Sequence, residues 1–349
     1  MLIYIILIIF STFIFITHIY IKKESINNMT ALLWVLFMSF FVGFQDSLGN
    51  DYATYIEICK NEWFYIKEPF TKLVLFPIRQ MSFPPLFFFW IYAFLTYYFY
   101  VKFVMLHPRG IRFLMIMIIF PFVMFFQSFN LIRQILACSV FLYGAELLFR
   151  SKKKAWIYII GSSLIHQTAL FSIPLLFIAK FYKSTCKLFI IYIISFLIFA
   201  TNIININSFI LILQWFISRT SYVDYLDSDL IYENNNSSIG LIYILLFFAS
   251  ILIYIKRNKI YKLGYKSQLN IFYIGQSFYF IFMLNPTLLR VSYYCYFYLF
   301  LLVPLLVLLS KSIQQRTRIA LIIYCMLFFL YYKILSAPNM PFIPYKTIL

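Results

Sequence analysis

The stretch FNLIRQILACSVFLYGAELLFRSKKK, Phe129 to Lys154, decides how the rest of the chain is read. An apolar run long enough to enter a bilayer opens on an arginine and a glutamine and closes on Arg150 and Lys152 to Lys154. A helix needs about 20 apolar residues to cross the hydrocarbon core. Lysine and arginine gather in the short cytoplasmic loops between membrane helices. RSKKK therefore marks the inner end of this helix and leaves Arg133 at the outer end, where lipid offers a guanidinium no partner.

Similar runs recur along the chain, at 2–21, 29–45, 83–103, 112–129, 131–149, 155–179, 187–217, 239–255, 268–285, 290–310 and 318–335. Of 349 residues 64% are hydrophobic and only 11% are charged, with a mean hydropathy of +0.88. No soluble interior of this length would hide so much apolar surface. In lipid every backbone polar group must be satisfied internally, which helices achieve. The reading is an all-α, polytopic helical integral membrane protein, a single membrane domain over 1–349 with about 10–12 crossings. The first run has no AxA-like cleavage site after it and is expected to be a retained helix.

The formal charge of +18 comes from 29 basic and 11 acidic residues. The cations lie mostly in short connections at Lys22–Lys23, Lys102 to Arg112, Arg150 to Lys154, Lys256 to Lys266 and Lys311 to Arg318. That is a topology signal and not a nucleic-acid footprint, so no nucleic acid is expected as a partner. The connections 46–68 and 218–238, which hold most of the acids, then face outward. Parity leaves one region open. Either 155–179 turns back at HQT as a re-entrant segment, or 187–217 breaks at TNIININS and crosses twice. EPFTKLVLFPIRQM, 68–81, is too short and too charged to span, and suits an interfacial helix on the outer leaflet.

A charged side chain at mid-membrane costs roughly 2.5–3.5 kcal/mol, so the polar residues near the outer ends are the first place to look for chemistry. Asp51 and Tyr55, in GNDYATY, are four apart and share a face of a helical turn. Asp51 is either a general base for an acceptor hydroxyl or the N-cap of the next helix, and Asp46 is a lesser candidate. Arg133, with Gln134 beside it, is a planar cation suited to carboxylate or phosphate; its bland reading is snorkelling to the headgroups. His166, in SSLIHQTAL, is by itself best read as a packing residue. It has no neighbour at metal-ligand spacing, and no metal is expected. Arg290, followed by Tyr293 and Tyr294, repeats the Arg133 situation, although tyrosines are expected at this depth as an interfacial belt. Two outer arginines would suit a diphosphate or another anionic headgroup. The five cysteines show no CxxC spacing, so neither a disulfide framework nor a zinc site is indicated. No P-loop or GxSxG elbow is present either, and no cofactor is expected.

Six islands, in order, resemble the EpsG family of Wzy-like polysaccharide polymerases. They are GNDYATY at 49–55, EPFTKL at 68–73, LIRQILA at 131–137, SSLIHQTAL at 162–170, RVSYY at 290–294 and IPYKTIL at 343–349. Each is weak alone; the ordered set is more specific. The family often carries Phe before its histidine, where this chain has Ile165. The resemblance implies a bacterial inner-membrane O-antigen or exopolysaccharide polymerase that takes lipid-linked oligosaccharide repeat units on undecaprenyl diphosphate. Such an enzyme works at the outer, periplasmic face, without nucleotide, and takes a chain-length regulator protein as a partner. It implies that Arg133 and Arg290 neutralise the diphosphate leaving group, with Gln134 as a hydrogen-bonding neighbour. Asp51 or His166 would take the acceptor proton, and Tyr55, Tyr293 and Tyr294 would line the substrate. A flippase for the same lipid-linked sugar is the main rival, and would want cations through a mid-membrane cavity and similar halves. An O-antigen ligase would want one large outer loop.

Overall fold

The computed structural model describes residues 2–49, 51–61, 66–201, 241–283 and 286–336. Among these the regular elements are helical. Six helices are long and apolar enough to cross a membrane: Leu2–Tyr20, Glu24–Gly43, Leu86–Met105, Ile132–Phe149, Leu288–Leu309 and Ile313–Leu335. Shorter apolar helices cover Ala155–Ile165, Gln167–Phe181, Thr185–Thr201 and Tyr243–Ile255. The all-α, multi-pass reading holds. The TNIININS break, the 218–238 connection and the PYK tail lie outside the described residues.

The chain divides into two compact units, Met1–Leu170 with Val303–Leu349, and Phe171–Leu302. The first unit contains α1 (Leu2–Tyr20), α2 (Glu24–Gly43), α3 (Tyr52–Lys60), α4 (Pro69–Gln80), α5 (Leu86–Met105), α6 (Arg109–Met117), α7 (Val123–Gln127), α8 (Ile132–Phe149) and α9 (Ala155–Ile165). Helix packing in lipid relies on close van der Waals approach and buried hydrogen bonds, not on hydrophobic transfer. Both devices occur here. A Cβ at Gly43 of α2 would lie 2.7 Å from the Trp90 Cα of α5, so a side chain at 43 would force these helices apart. Trp34 Nε1 donates to Ser11 Oγ at 2.8 Å between α2 and α1, and His18 meets Thr30 Oγ1 at 2.8 Å. The Trp34 ring also stands edge-on to Tyr97 of α5, whose hydroxyl is 2.9 Å from Ser128 Oγ.

The run 112–129, expected as one crossing, is broken. Helix α6 stops at Met117, the chain is irregular through Phe122, and α7 restarts at Val123. Pro121 explains this: it has no N–H to give the helix, and its ring disfavours helical backbone in the preceding residue. Phe122 is extended, at φ −111° and ψ 170°, and every residue from Ile111 to Phe122 is buried. Irregular backbone at membrane depth is tolerated when it is enclosed in protein, as it is here.

The end of this unit that carries RSKKK is tied by charges. Glu24 at the start of α2 accepts from Arg109 at 2.8 Å and from Arg112 at 3.1 Å. Arg112 also donates to the carbonyls of Met105 and His107, each at 2.9 Å, and so covers the end of α5. The fully buried Glu146 accepts from Arg150 at 2.7 Å and lies 4.0 Å from His107 Nε2. Burial, with Arg150 and Arg112 alongside, holds the His107 imidazole well below its ordinary value. Removing Glu146 takes away the buried acceptor, but Arg150, whose side chain is 35% exposed, can turn to water. Glu146→Ala is therefore expected to lower stability by about 1 kcal/mol, from the lost hydrogen bond and packing. Thermal melting of the detergent-solubilised protein checks it, and a midpoint equal to wild type would contradict it.

The second unit is built around the helix Lys266–Ile281. Its Asn270 side chain donates to the carbonyls of Ala179 and Tyr182, each at 3.0 Å, and accepts from Thr185 Oγ1 at 2.5 Å. One buried amide thus ties the end of α10 (Ile173–Phe181) to the start of α11 (Thr185–Thr201). The aromatic rings of Phe189, Tyr192, Phe196 and Tyr273 fill the space between α11 and this helix.

Candidate functional site

Arg133 is the second residue of α8, and its side chain is 24% exposed. Its Nη1 donates to Glu68 Oε2 at 2.8 Å, and Glu68 is itself only 11% exposed. The guanidinium lies 5.8 Å from the ring centre of Tyr55. Its Nε is buried and makes no hydrogen bond among the described residues. A carboxylate and a tyrosine therefore replace the headgroups that a snorkelling arginine would seek.

Four elements hold these groups in place. Glu68 stands just before Pro69, which opens α4; proline is favoured at a helix start because it has no N–H to leave unsatisfied. One turn on, Thr71 Oγ1 meets the Tyr92 hydroxyl of α5 at 2.9 Å, fixing α4 against α5. Arg79, at the far end of α4, donates to the carbonyls of Ile58 at 3.2 Å and Asn61 at 2.9 Å, and so closes the end of α3. Tyr55 of α3 is buried against Phe88 and Phe89 of α5. Tyr52 stacks on Phe89 at 5.0 Å; burial and the neighbouring Asp46 carboxylate push its phenol above its ordinary value.

Gly49 shows how the GNDYATY and LIRQILA islands meet. Its φ of +81° is a left-handed conformation that favours glycine, and a Cβ there would collide with Asn130 Oδ1. The 46–49 loop is thus pressed against the residues that lead into α8. Asp51 occupies the N-cap position of α3, yet its side chain makes no capping hydrogen bond; only its carbonyl enters the helix, accepting from Tyr55 N at 3.0 Å. The structural duty offered by the sequence is not what its carboxylate performs.

Gln134 is buried on α8, turned from the half-exposed side on which Arg133 lies. His166 ends α9 in extended conformation, φ −151° and ψ 123°, with Nδ1 2.7 Å from Thr168 Oγ1. A short 3-10 segment, Gln167–Ser172, follows, so the helix does break at HQT. In the α8–α9 hairpin, Gly144 lies against Tyr158 and Ile159. Counting along both helices from that contact sets His166 level with Leu136, about 5 Å short of Arg133 along the axis. Arg290, Tyr293 and Tyr294 belong to the second unit, on the helix Pro286–Tyr296. Tyr293 and Tyr294 are buried, and Tyr293 stacks on Phe297 at 5.8 Å.

Glu68 is the residue that sequence reasoning passes over. It stands in the EPFTKL island, but an outer acid 65 positions before Arg133 gives no local sign of pairing with it. Among the described residues no cluster of His, Cys, Asp or Glu is arranged to hold a metal ion.

Apolar helices of bilayer length, together with a half-buried cation seated among protein groups at one helix end, define a multi-pass membrane protein with a polar site at a helix terminus. The chain belongs to the EpsG family, whose model matches residues 28–347, leaving α1 outside the match. That family is associated with glycosyltransferase-like polymerases of polysaccharide biosynthesis. No curated protein and no solved structure matches the chain.

Proposed function

We propose that this protein polymerises a lipid-linked glycan at the outer face of a bacterial inner membrane. The growing chain is transferred from undecaprenyl diphosphate to a sugar hydroxyl of the next lipid-linked repeat unit. The acceptor oxygen attacks the anomeric carbon of the donor sugar. The bond from that carbon to the diphosphate breaks, and its electron pair leaves with the diphosphate. The acceptor's proton passes to a base, for which Asp51 and His166 are the candidates. No nucleotide enters, because the donor already carries its leaving group.

The observation that carries this reading is Arg133, a fixed cation built into a membrane helix end by Glu68 and Tyr55. Charge develops on the leaving diphosphate as the bond breaks, and a preorganised cation in a water-poor site stabilises it strongly. Glu68 acts as a positioning residue that aims the guanidinium, with Tyr55 beside it; Gln134, buried on another face of α8, is a substrate neighbour on sequence grounds alone. Arg290, Tyr293 and Tyr294 carry the same expectation on sequence grounds and are tested by their own substitutions. The test is direct. Purified protein in proteoliposomes, given lipid-linked repeat units and no nucleotide, is expected to convert them to a ladder of longer chains. A flippase would move the units across the bilayer and leave their length unchanged, and that outcome would overturn the proposal.

A further inference from the structure

An apolar groove of about 600 Å³ runs along the first unit between α4, α5, α8 and α9. On α8 it is lined by Leu136 and Val140, one and two turns past Arg133 on the same face. On α4 its wall begins at Pro69, the residue after Glu68, and on α9 it ends at Ile165, the residue before His166. Three polar residues from three helices thus stand at one mouth of an otherwise apolar channel.

The groove is open sideways. Ile157 and Leu73, both on its walls, are 71% and 69% exposed, so in a membrane they face lipid. Between Ile157 and Ile165 it extends about 12 Å along α9 at the helical rise. At its middle, Gly161 leaves space: no heavy atom lies within 4 Å of where its Cβ would be. A glycine inside a helix is unfavourable by about 1 kcal/mol relative to alanine, so helix formation alone gives no reason for one here.

We infer that this groove seats the isoprene units of the lipid carrier nearest the diphosphate, with the diphosphate at Arg133. The inference rests on the polymerase reading and adds where the carrier lies. The occupant must be long, apolar and able to enter from the bilayer, and must carry at one end an anion that Arg133 can take up beside Glu68. The Arg133 Nε, buried and without a hydrogen-bond partner among the described residues, is a donor that such an anion satisfies after a small side-chain shift. A phospholipid offers a chain and a single phosphate. Polyprenyl diphosphate supplies an anion for that Nε and a branched chain for the groove, and the polymerase reading selects it over a phospholipid.

The test photolabels the full-length protein in nanodiscs with undecaprenyl diphosphate that carries a diazirine in its first isoprene units. Label is expected on peptides holding Pro69 to Leu73, Leu136 to Val140 and Ile157 to Ile165. Unlabelled undecaprenyl diphosphate should displace it, and equal phosphatidylglycerol should not. Gly161→Phe fills the groove without a clash at Cβ; excluding even two methylenes of chain weakens binding on the order of tenfold. Ile160→Phe puts the same side chain on the neighbouring lipid-facing residue and is expected to label as wild type. Label displaced equally by phosphatidylglycerol, label elsewhere, or unchanged labelling of Gly161→Phe would each overturn the inference. Elongation by wild type in proteoliposomes is measured alongside. Normal elongation with label outside the groove sinks the groove alone, whereas labelling in the groove without elongation sinks the polymerase reading alone.

Discussion

Arg133→Ala is expected to slow polymerisation by about 10²–10³-fold, the usual effect of removing one preorganised group that stabilises a leaving charge. On a gel of surface polysaccharide this appears as a single-repeat band in place of the long ladder. The physical reason lies in where Arg133 sits. Its pair with Glu68 fixes the guanidinium at a helix end, where water screens a charge less than at an open surface. Lysine is a poor substitute, because a point charge on a flexible stem loses the planar fork that engages Glu68 and phosphate oxygens together. Glu68→Gln separates positioning from charge. It keeps a hydrogen-bond acceptor for Arg133 and removes the anion, so polymerisation should fall less than in Arg133→Ala, and an ordinary ladder from Arg133→Ala would sink the proposal. Expression level and insertion of each variant are measured with the ladder, so that loss of chemistry is not confused with loss of protein.

Gly275→Val is expected to remove most of the folded protein. A Cβ at Gly275 would collide with the carbonyl carbon of Cys295 and lie 2.5 Å from the nitrogen of Tyr296. Those are backbone atoms, which cannot swing aside as the tip of a side chain can. One turn on, the Tyr279 and Tyr296 rings stack at 4.2 Å, so separating the helices also opens that contact. Overpacking usually costs about 1–3 kcal/mol, and a backbone clash on a helix crossing belongs at the upper end. Size-exclusion profiles and melting midpoints in detergent measure the effect. Gly161→Ala is the matched comparison, because its Cβ meets nothing within 4 Å and it should melt no lower than wild type.

Much of the fold is legible in particular runs. Leu2–Tyr20 and Leu86–Met105 are recognisable because nothing in them interrupts a helix, and Lys22 and Lys102 punctuate their ends. The run 68–81 does form a helix, α4, whose Val74 and Ile78 pack inward while Leu73 and Phe76 stay exposed. The break in 112–129 is visible as Pro121, but hydropathy outweighs it in a reading based on apolar length. The site divides in the same way. Arg133, Asp51 and His166 stand out because a charged or polar group in an apolar run is locally anomalous. Glu68 does not, because it sits among other outer-loop acids and only tertiary packing selects it. No periodicity places an acid at one helix start beside an arginine at another.

The enclosed break between α6 and α7 has a consequence for biogenesis. A segment that cannot close its own backbone hydrogen bonds partitions poorly into lipid as an independent helix. Residues 109–127 therefore cannot follow the simple route in which each helix leaves the insertion machinery alone and settles later. They must be accompanied: α1 and α5, against which α6 packs, come before them, whereas α8 and the helix Ile313–Leu335 come only after. The nascent chain thus has an interval in which this broken stretch has α1 and α5 beside it but not yet the later helices that complete its enclosure. The pace of translation through that interval bears on how much of the protein reaches its folded state.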